Sequence, residues 1–265
     1  MSLEITERTV LDRRNGLLGW SVGLIAYVVL LASLFPTIRD SAGFAEAMED
    51  YPDALKELLG GDAALDITSG PGFLNAELYT LMLPLLLVVV AIGMGASLAS
   101  DQQRSMTDLI LATHVSRRRL IAERCVAMAV ALTGLAALVV ASILVAEPIV
   151  SLEVSTSNLL AATVAVGLLV LLHGLVALGV AAATGSRGTA IGVATALFAA
   201  GYVATIFGGL ISWLEPTRAL SPYHHALGSN PLVNGWALGH LAILAGACAV
   251  TGAATVAVFE QRDLR

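Results

Sequence analysis

Residues 81–99 read "LMLPLLLVVVAIGMGASLA", nineteen positions without one charged side chain. The hydrocarbon core of a bilayer is about 30 Å thick, and a helix rising about 1.5 Å per residue needs about 20 apolar residues to cross it. This stretch is therefore read as the heart of a transmembrane helix covering 78–100. Comparable runs recur on either side, near residues 17–36, 121–146, 158–183, 189–212 and 236–259. The fifth of the six, "GTAIGVATALFAAGYVATIFGGLI", is only moderately hydrophobic. The fold expected is all-α: one polytopic membrane domain over residues 1–265 with six transmembrane helices.

The composition agrees. Of 265 residues, 57% are hydrophobic and 13% charged, where soluble domains carry about 25% charged residues. The 25 glycines suit membrane helices, in which they allow close packing. The leading segment "MSLEITERTVLDRRNG" is too charged and too long for the first part of a cleavable signal peptide. Cys125 and Cys248 lie far apart in or beside apolar runs and lack the spacing of a metal site.

Charge sets the expected orientation. Arg8, Arg13, Arg14, Arg104, Arg117, Arg118, Arg119, Arg124, Arg187, Arg262 and Arg265 fall on one side of a six-span layout, against Arg39, Lys56 and Arg218 on the other. The positive-inside bias places both termini in the cytoplasm of a multi-pass cell-membrane protein, with lipid phosphates as partners for the arginines. Residues 37–77 form an acidic extracytoplasmic loop. Within it, Phe44, Ala47 and Met48, then Leu55, Leu58 and Leu59, fit two short amphipathic helices divided by Pro52. Residues 5–14 fit a short interfacial helix. Residues 213–235 form an extracytoplasmic hairpin, because Pro216, Pro222 and Pro231 cannot share one continuous helix. Tyr223 and Trp236 suit a membrane interface.

Between the second and third spans the chain runs "DQQRSMTDLILATHVSRRRLIAERC" from Asp101. Ser105 and Asp108 match a capping box, opening a short helix with Met106, Leu109 and Ile110 as its apolar patch. A second helix is expected from about Ser116 into the third span. Arg117 to Arg119 at a helix start oppose its dipole by a few tenths of a kcal/mol each, which anchoring to phosphates offsets. Anchoring accounts for the charge. It does not account for a capped helix with its own apolar face, and docking of a second protein does.

The layout resembles the permease subunit of an ABC transporter of the ABC-2 type. Such permeases carry a coupling helix here, written as an acidic residue, Gly-Thr-Leu-Glu-Leu-Leu-Leu, a small residue, Pro-Val-Ser-Arg and a further basic residue. Thr107 to Ala112 ("TDLILA") occupy the leucine-rich part, with Asp108 in the acidic place. Val115, Ser116 and Arg117 match "VSR", Arg124 the trailing basic residue, and Asp101 the leading acidic place. His114 stands where the family has proline, and Ser105-Met106 replace its glycine. The ending "VAVFEQRDLR" is similar through Phe259, Arg262, Asp263 and Leu264, and the hairpin through Ser221-Pro222-Tyr223, Ala226-Leu227-Gly228 and Asn234-Gly235.

The resemblance implies an ATP-driven transporter permease that dimerises, with itself or a related chain, and docks a separate ATPase through a segment at 101–120. The implied coupling residues are Asp101, Arg104, Thr107, Asp108, Leu109, Ile110, Val115, Ser116 and Arg117. ATP would bind that partner, since this chain has no Walker A sequence and its one lysine lies in the acidic loop. No enzymatic activity, cofactor or metal is expected in this chain, nor is nucleic acid as a partner.

Few other residues invite chemistry. His173 lies in mid-span, where a polar group is costly unless paired; it lines a cavity or bonds a neighbouring helix. Tyr223 and His224 fall where an outer gate would be, and a plain anchored hairpin explains them equally. His224 and His225 are adjacent, about 100° apart on a helix, without cysteines or spaced carboxylates to complete a metal site. His240 stands beside the pair Gly235 and Gly239, and Gly188 and Gly192 form a second; both pairs are read as packing sites. A scaffold or sensor using the inner helix for another partner is the alternative. An ion-coupled carrier has less support, because the spans hold almost no ionisable groups.

Overall fold

A computed structural model describes residues 4–41, 67–103, 116–211 and 214–261. In chain order the helices are α1 (Glu4–Asp12), α2 (Arg14–Arg39), α3 (Gly70–Leu74), α4 (Met82–Gln103), α5 (Arg117–Val150), α6 (Thr156–Thr184), α7 (Arg187–Leu210), α8 (Glu215–Arg218), α9 (Pro222–Leu227), α10 (Pro231–Asn234) and α11 (Leu238–Gln261). Six helical stretches are long and apolar enough to cross a membrane: α2, Gly70–Asp101, α5, α6, Arg187–Gly208 in α7, and α11. The expected all-α fold with six spans is the fold observed.

The second span starts earlier than hydropathy suggests. The Ser69 hydroxyl accepts from the Gly72 amide at 3.2 Å and Pro71 sits in the first turn, so α3 forms on capping signals. A π-helical turn at Asn75–Tyr79 then carries the chain into α4. Similar caps set the third and fifth spans. The Ser116 hydroxyl accepts from the Arg119 amide and that of Ser186 from the Thr189 amide, each at 3.3 Å. Gly185, at φ +66°, ends α6 in the left-handed conformation.

Helix α6 packs against α4, α5, α7 and α11 and against the short α9 and α10. Its crossing with α4 brings two backbones together. A methyl group at Gly95 would overlap the Gly174 carbonyl oxygen, and one at Gly174 would overlap the Met128 sulfur. Small residues permit that approach, and close packing is what holds membrane helices together. The glycine pairs singled out in the sequence behave differently. Positions 188, 192 and 239 have no neighbour within 4 Å of an added methyl group, so among the described residues nothing packs on those faces. Gly235 is needed for its backbone, at φ +79°.

Side-chain bonds sort the two ends of the bundle. Thr6, Asp101, Arg117–Arg119, Glu123, Arg124, Arg187 and Glu260 meet at one end, which carries both described termini. At the opposite end Arg39 donates to the Val150 carbonyl at 3.2 Å, and Trp236 donates to Ser157 at 3.0 Å. Here lie the short helices α8, α9 and α10, each with a proline in its first turn. The acidic loop and its two amphipathic helices lie outside the described residues.

Candidate functional site

At the termini end, α4 stops at Gln103 and α5 starts at Arg117. Asp101 and Arg124 bridge the two helices at 2.5 Å, and Arg124 also donates to Ser97 at 3.4 Å. The pair is sheltered: the Arg124 side chain is 10% exposed and that of Asp101 27%. Arg13 lies in the same electrostatic neighbourhood. Burial, then Arg124 and Arg187, push its pKa below the usual arginine value, while Asp101 works against them. Residues 104–115, which include Arg104, Thr107, Asp108, Leu109, Ile110 and Val115, lie outside the described residues. Their flanks do not. Ser116 caps α5, and Arg117 donates to the Glu260 carbonyl at 3.4 Å while Arg118 pairs with the Glu260 carboxylate at 2.8 Å.

Sequence reading missed Glu123. It lies four residues after Arg119, is 3% exposed, and its carboxylate takes the Arg119 Nε–H at 2.7 Å and the Thr6 amide at 3.2 Å. The Thr6 hydroxyl donates to the Glu123 carbonyl at 3.1 Å. A carboxylate four residues from an arginine, just inside an apolar run, was the available signal. A count of basic residues alone overlooks it. Through these bonds α1 packs on α5, so the first two turns of α5 are tied to α1, α4 and α11.

At the hairpin end the structure gathers residues that the sequence left separate. His173 is 1% exposed. Its Nδ1 bonds the Leu169 carbonyl of its own helix at 2.7 Å, and its ring meets Phe198 edge-on at 5.3 Å. Its Nδ1 bond stays within its own helix, Phe198 covers the ring, and its Nε2 is buried without a hydrogen-bond partner among the described residues. Phe198 in turn meets Tyr223 at 5.9 Å, and Tyr223 meets Tyr202 at 5.2 Å. Tyr223 is thus buried in the core, 3% exposed, its ring turned to protein. Burial first, then Tyr202, push its pKa up. Ser221 anchors this turn, donating to the Gly201 carbonyl at 2.7 Å beside Thr205.

His224 and His225 do not stand alone. His240, from the first turn of α11, packs against both, with ring centroids 5.8 Å from His224 and 5.1 Å from His225. His225 Nδ1 lies 3.0 Å from His240 Nδ1, and His225 Nε2 lies 2.8 Å from the Ala219 carbonyl. Among the described residues no group of three or more histidines, cysteines or carboxylates is arranged to hold a metal ion.

An apolar groove of about 430 Å³ opens between α5 and α6, lined by Leu132, Ala136 and Val140 on one side and Leu160, Val164 and Leu168 on the other. Thr163 at its base is already engaged, donating to the Leu159 carbonyl and lying 2.7 Å from the buried Tyr79 hydroxyl. The groove therefore offers apolar surface and little hydrogen-bonding capacity.

The model of a family described as "Multidrug efflux system permease Rv1217c, C-terminal domain" matches residues 10–260. No curated protein and no solved structure matches the chain.

Proposed function

The chain belongs to this multidrug efflux system permease family, and from that premise we propose that it is the membrane-spanning permease subunit of an ATP-driven transporter of the ABC-2 type. It works as a dimer, with itself or a related permease. Residues about 101–117 take a separate ATPase, which binds and hydrolyses the ATP. The end carrying both termini faces the cytoplasm, as the arginine bias requires. Apolar solutes leave the membrane by a pathway that the spans form, and Tyr223 and His224 belong to its outer gate.

The observation that carries this reading is the bracket around residues 104–115. Asp101 and Arg124 hold the two flanking helices together at 2.5 Å, and α5 is tied beyond them to α1 and α11. A partner that moves the bracketed segment moves these elements with it. The ATPase then supplies the free energy by favouring one of two arrangements of the spans, and the permease supplies the two arrangements.

Purification from native membranes in mild detergent tests this. A P-loop ATPase is expected at one copy per permease, and Leu109→Asp with Ile110→Asp is expected to remove it while the spans still insert. A monodisperse permease with no ATPase would transfer the inner helix to a scaffold or sensor role.

A further inference from the structure

Three imidazoles meet at the hairpin end although they come from two elements, α9 and the first turn of α11. The protons on them can be placed. A carbonyl oxygen only accepts, so His225 Nε2, 2.8 Å from the Ala219 carbonyl, carries a hydrogen. Neutral His225 then presents Nδ1 as a bare acceptor. The 3.0 Å approach of His240 Nδ1 is a hydrogen bond if His240 holds the single proton between them. A further proton on His225 Nδ1 would set two N–H groups against each other. The contact survives with one proton and fails with two.

The surroundings give a second proton no welcome. His224 Nδ1 is buried without a hydrogen-bond partner. The hairpin over 214–237 holds one carboxylate, Glu215, and one other cation, Arg218, and Arg218 acts on His224 as a like charge. On the elements packed against α9, the ionisable groups besides His240 are Tyr202 and Arg187 on α7, His173 on α6, and Cys248 and Glu260 on α11; Arg187 and Glu260 lie at the opposite end of the bundle, bonded to Ser100 and Arg118. The one carboxylate on these elements, Glu260, is thus held by Arg118 at the other end of the bundle.

We propose that His224, His225 and His240 form a proton-sensitive latch: it holds the hairpin helix α9 against the start of α11 while His225 and His240 share one proton, and releases it when His225 Nδ1 takes a proton of its own. A rise in acidity on that face would then free the hairpin from the last span. The inference takes from the permease reading only the notion that this end moves. Its test therefore succeeds or fails whether or not an ATPase co-purifies.

The test uses the full chain in lipid nanodiscs, with Cys125 and Cys248 replaced by alanine and spin labels at Leu220→Cys and Leu238→Cys, positions 84% and 72% exposed. The distance between labels is measured near pH 7.5 and near pH 5, the range in which imidazoles titrate. A shift to longer distance at the lower pH is expected. His240→Asn is expected to abolish the shift, because its amide can offer Nδ2–H to neutral His225 or its carbonyl to protonated His225. His240→Ala should give the longer distance at both pH values. An unchanged distance in the labelled parent, or an equal shift in His240→Asn, would overturn the latch. So would a distance governed by added Zn²⁺ at fixed pH, which would put a metal ion in the proton's place.

Discussion

Asp101→Asn tests the bracket most directly. Asparagine keeps the shape and still accepts a hydrogen bond, so what is lost is the negative charge opposite Arg124 at 2.5 Å. Removing one partner of a fully buried pair costs about 3–5 kcal/mol, and an exposed pair is worth about 0–1 kcal/mol. With Arg124 at 10% and Asp101 at 27% exposure, about 2–3 kcal/mol is expected here. The loss also leaves Arg13 facing Arg124 and Arg187 without the carboxylate that offset them. Arg124→Met should cost less, about 1–2 kcal/mol, because Asp101 retains Arg13 in its field. The double variant should recover part of both losses, with a coupling of about 1.5 kcal/mol in a double-mutant cycle. Reversible unfolding of the purified protein in mixed detergent micelles measures all four species. Little salt dependence is expected, since screening acts weakly on a sheltered pair. Additive single effects, within about 0.5 kcal/mol, would refute the claim that these groups hold α4 to α5.

Other perturbations address the rest of the molecule. Gly95→Val should destabilise by about 1–3 kcal/mol through overpacking at the α4–α6 crossing, whereas Gly192→Val, on an open face, should leave the same unfolding midpoint unchanged in the isolated subunit. Glu123→Gln should free α1, and faster amide exchange at Thr6, whose N–H it now binds at 3.2 Å, reports it. His224 is held down to about pKa 4, by burial first and then by Arg218, His225 and His240, against 6.5 when unfolded. The folded state thus binds fewer protons below the unfolded value, so stability is full above about pH 6.5 and declines toward pH 4. Solvent screening of this partly exposed ring limits the loss to about 1 kcal/mol, and His224→Gln should flatten that part of the decline.

The spans were legible because a bilayer leaves one solution for a long uncharged run, and "LMLPLLLVVVAIGMGASLA" satisfies it unaided. The caps at Ser116 and Ser186 and the proline-led hairpin were local too, carried by residue types that act within one turn. What could not be read was lateral. Nothing local says that His240 returns beside His225 fifteen residues earlier, or that Thr6 reaches Glu123 across 117 positions. The glycine pairs are of the same kind: small spacing shows that a face can pack, and not which element supplies the partner. Tyr223 was placed by its amphipathic chemistry, and the Phe198 and Tyr202 rings that bury it lie on another helix.

These lateral ties also decide where the bundle can bend. The helices α4 and α6 are locked backbone to backbone at Gly95 and Gly174 and should move together. The start of α5 is held to α4 by Asp101 and Arg124, but farther along, α5 and α6 are separated by the apolar groove. Displacement of residues 104–115 by an ATPase would therefore pivot α5 about its tied end, and the change would be largest across the groove. Ala137→Cys and Val164→Cys, both at the groove wall, place one reactive group on each side in a background without Cys125 and Cys248. With the complex in vesicles, a short bifunctional maleimide should join them at rates that differ between the nucleotide-free and ATP-bound states. The cross-linked permease should then lose transport while its partner still binds ATP. Equal cross-linking in both states, or full transport after cross-linking, would show that α5 and α6 move as one body and that the bend lies elsewhere.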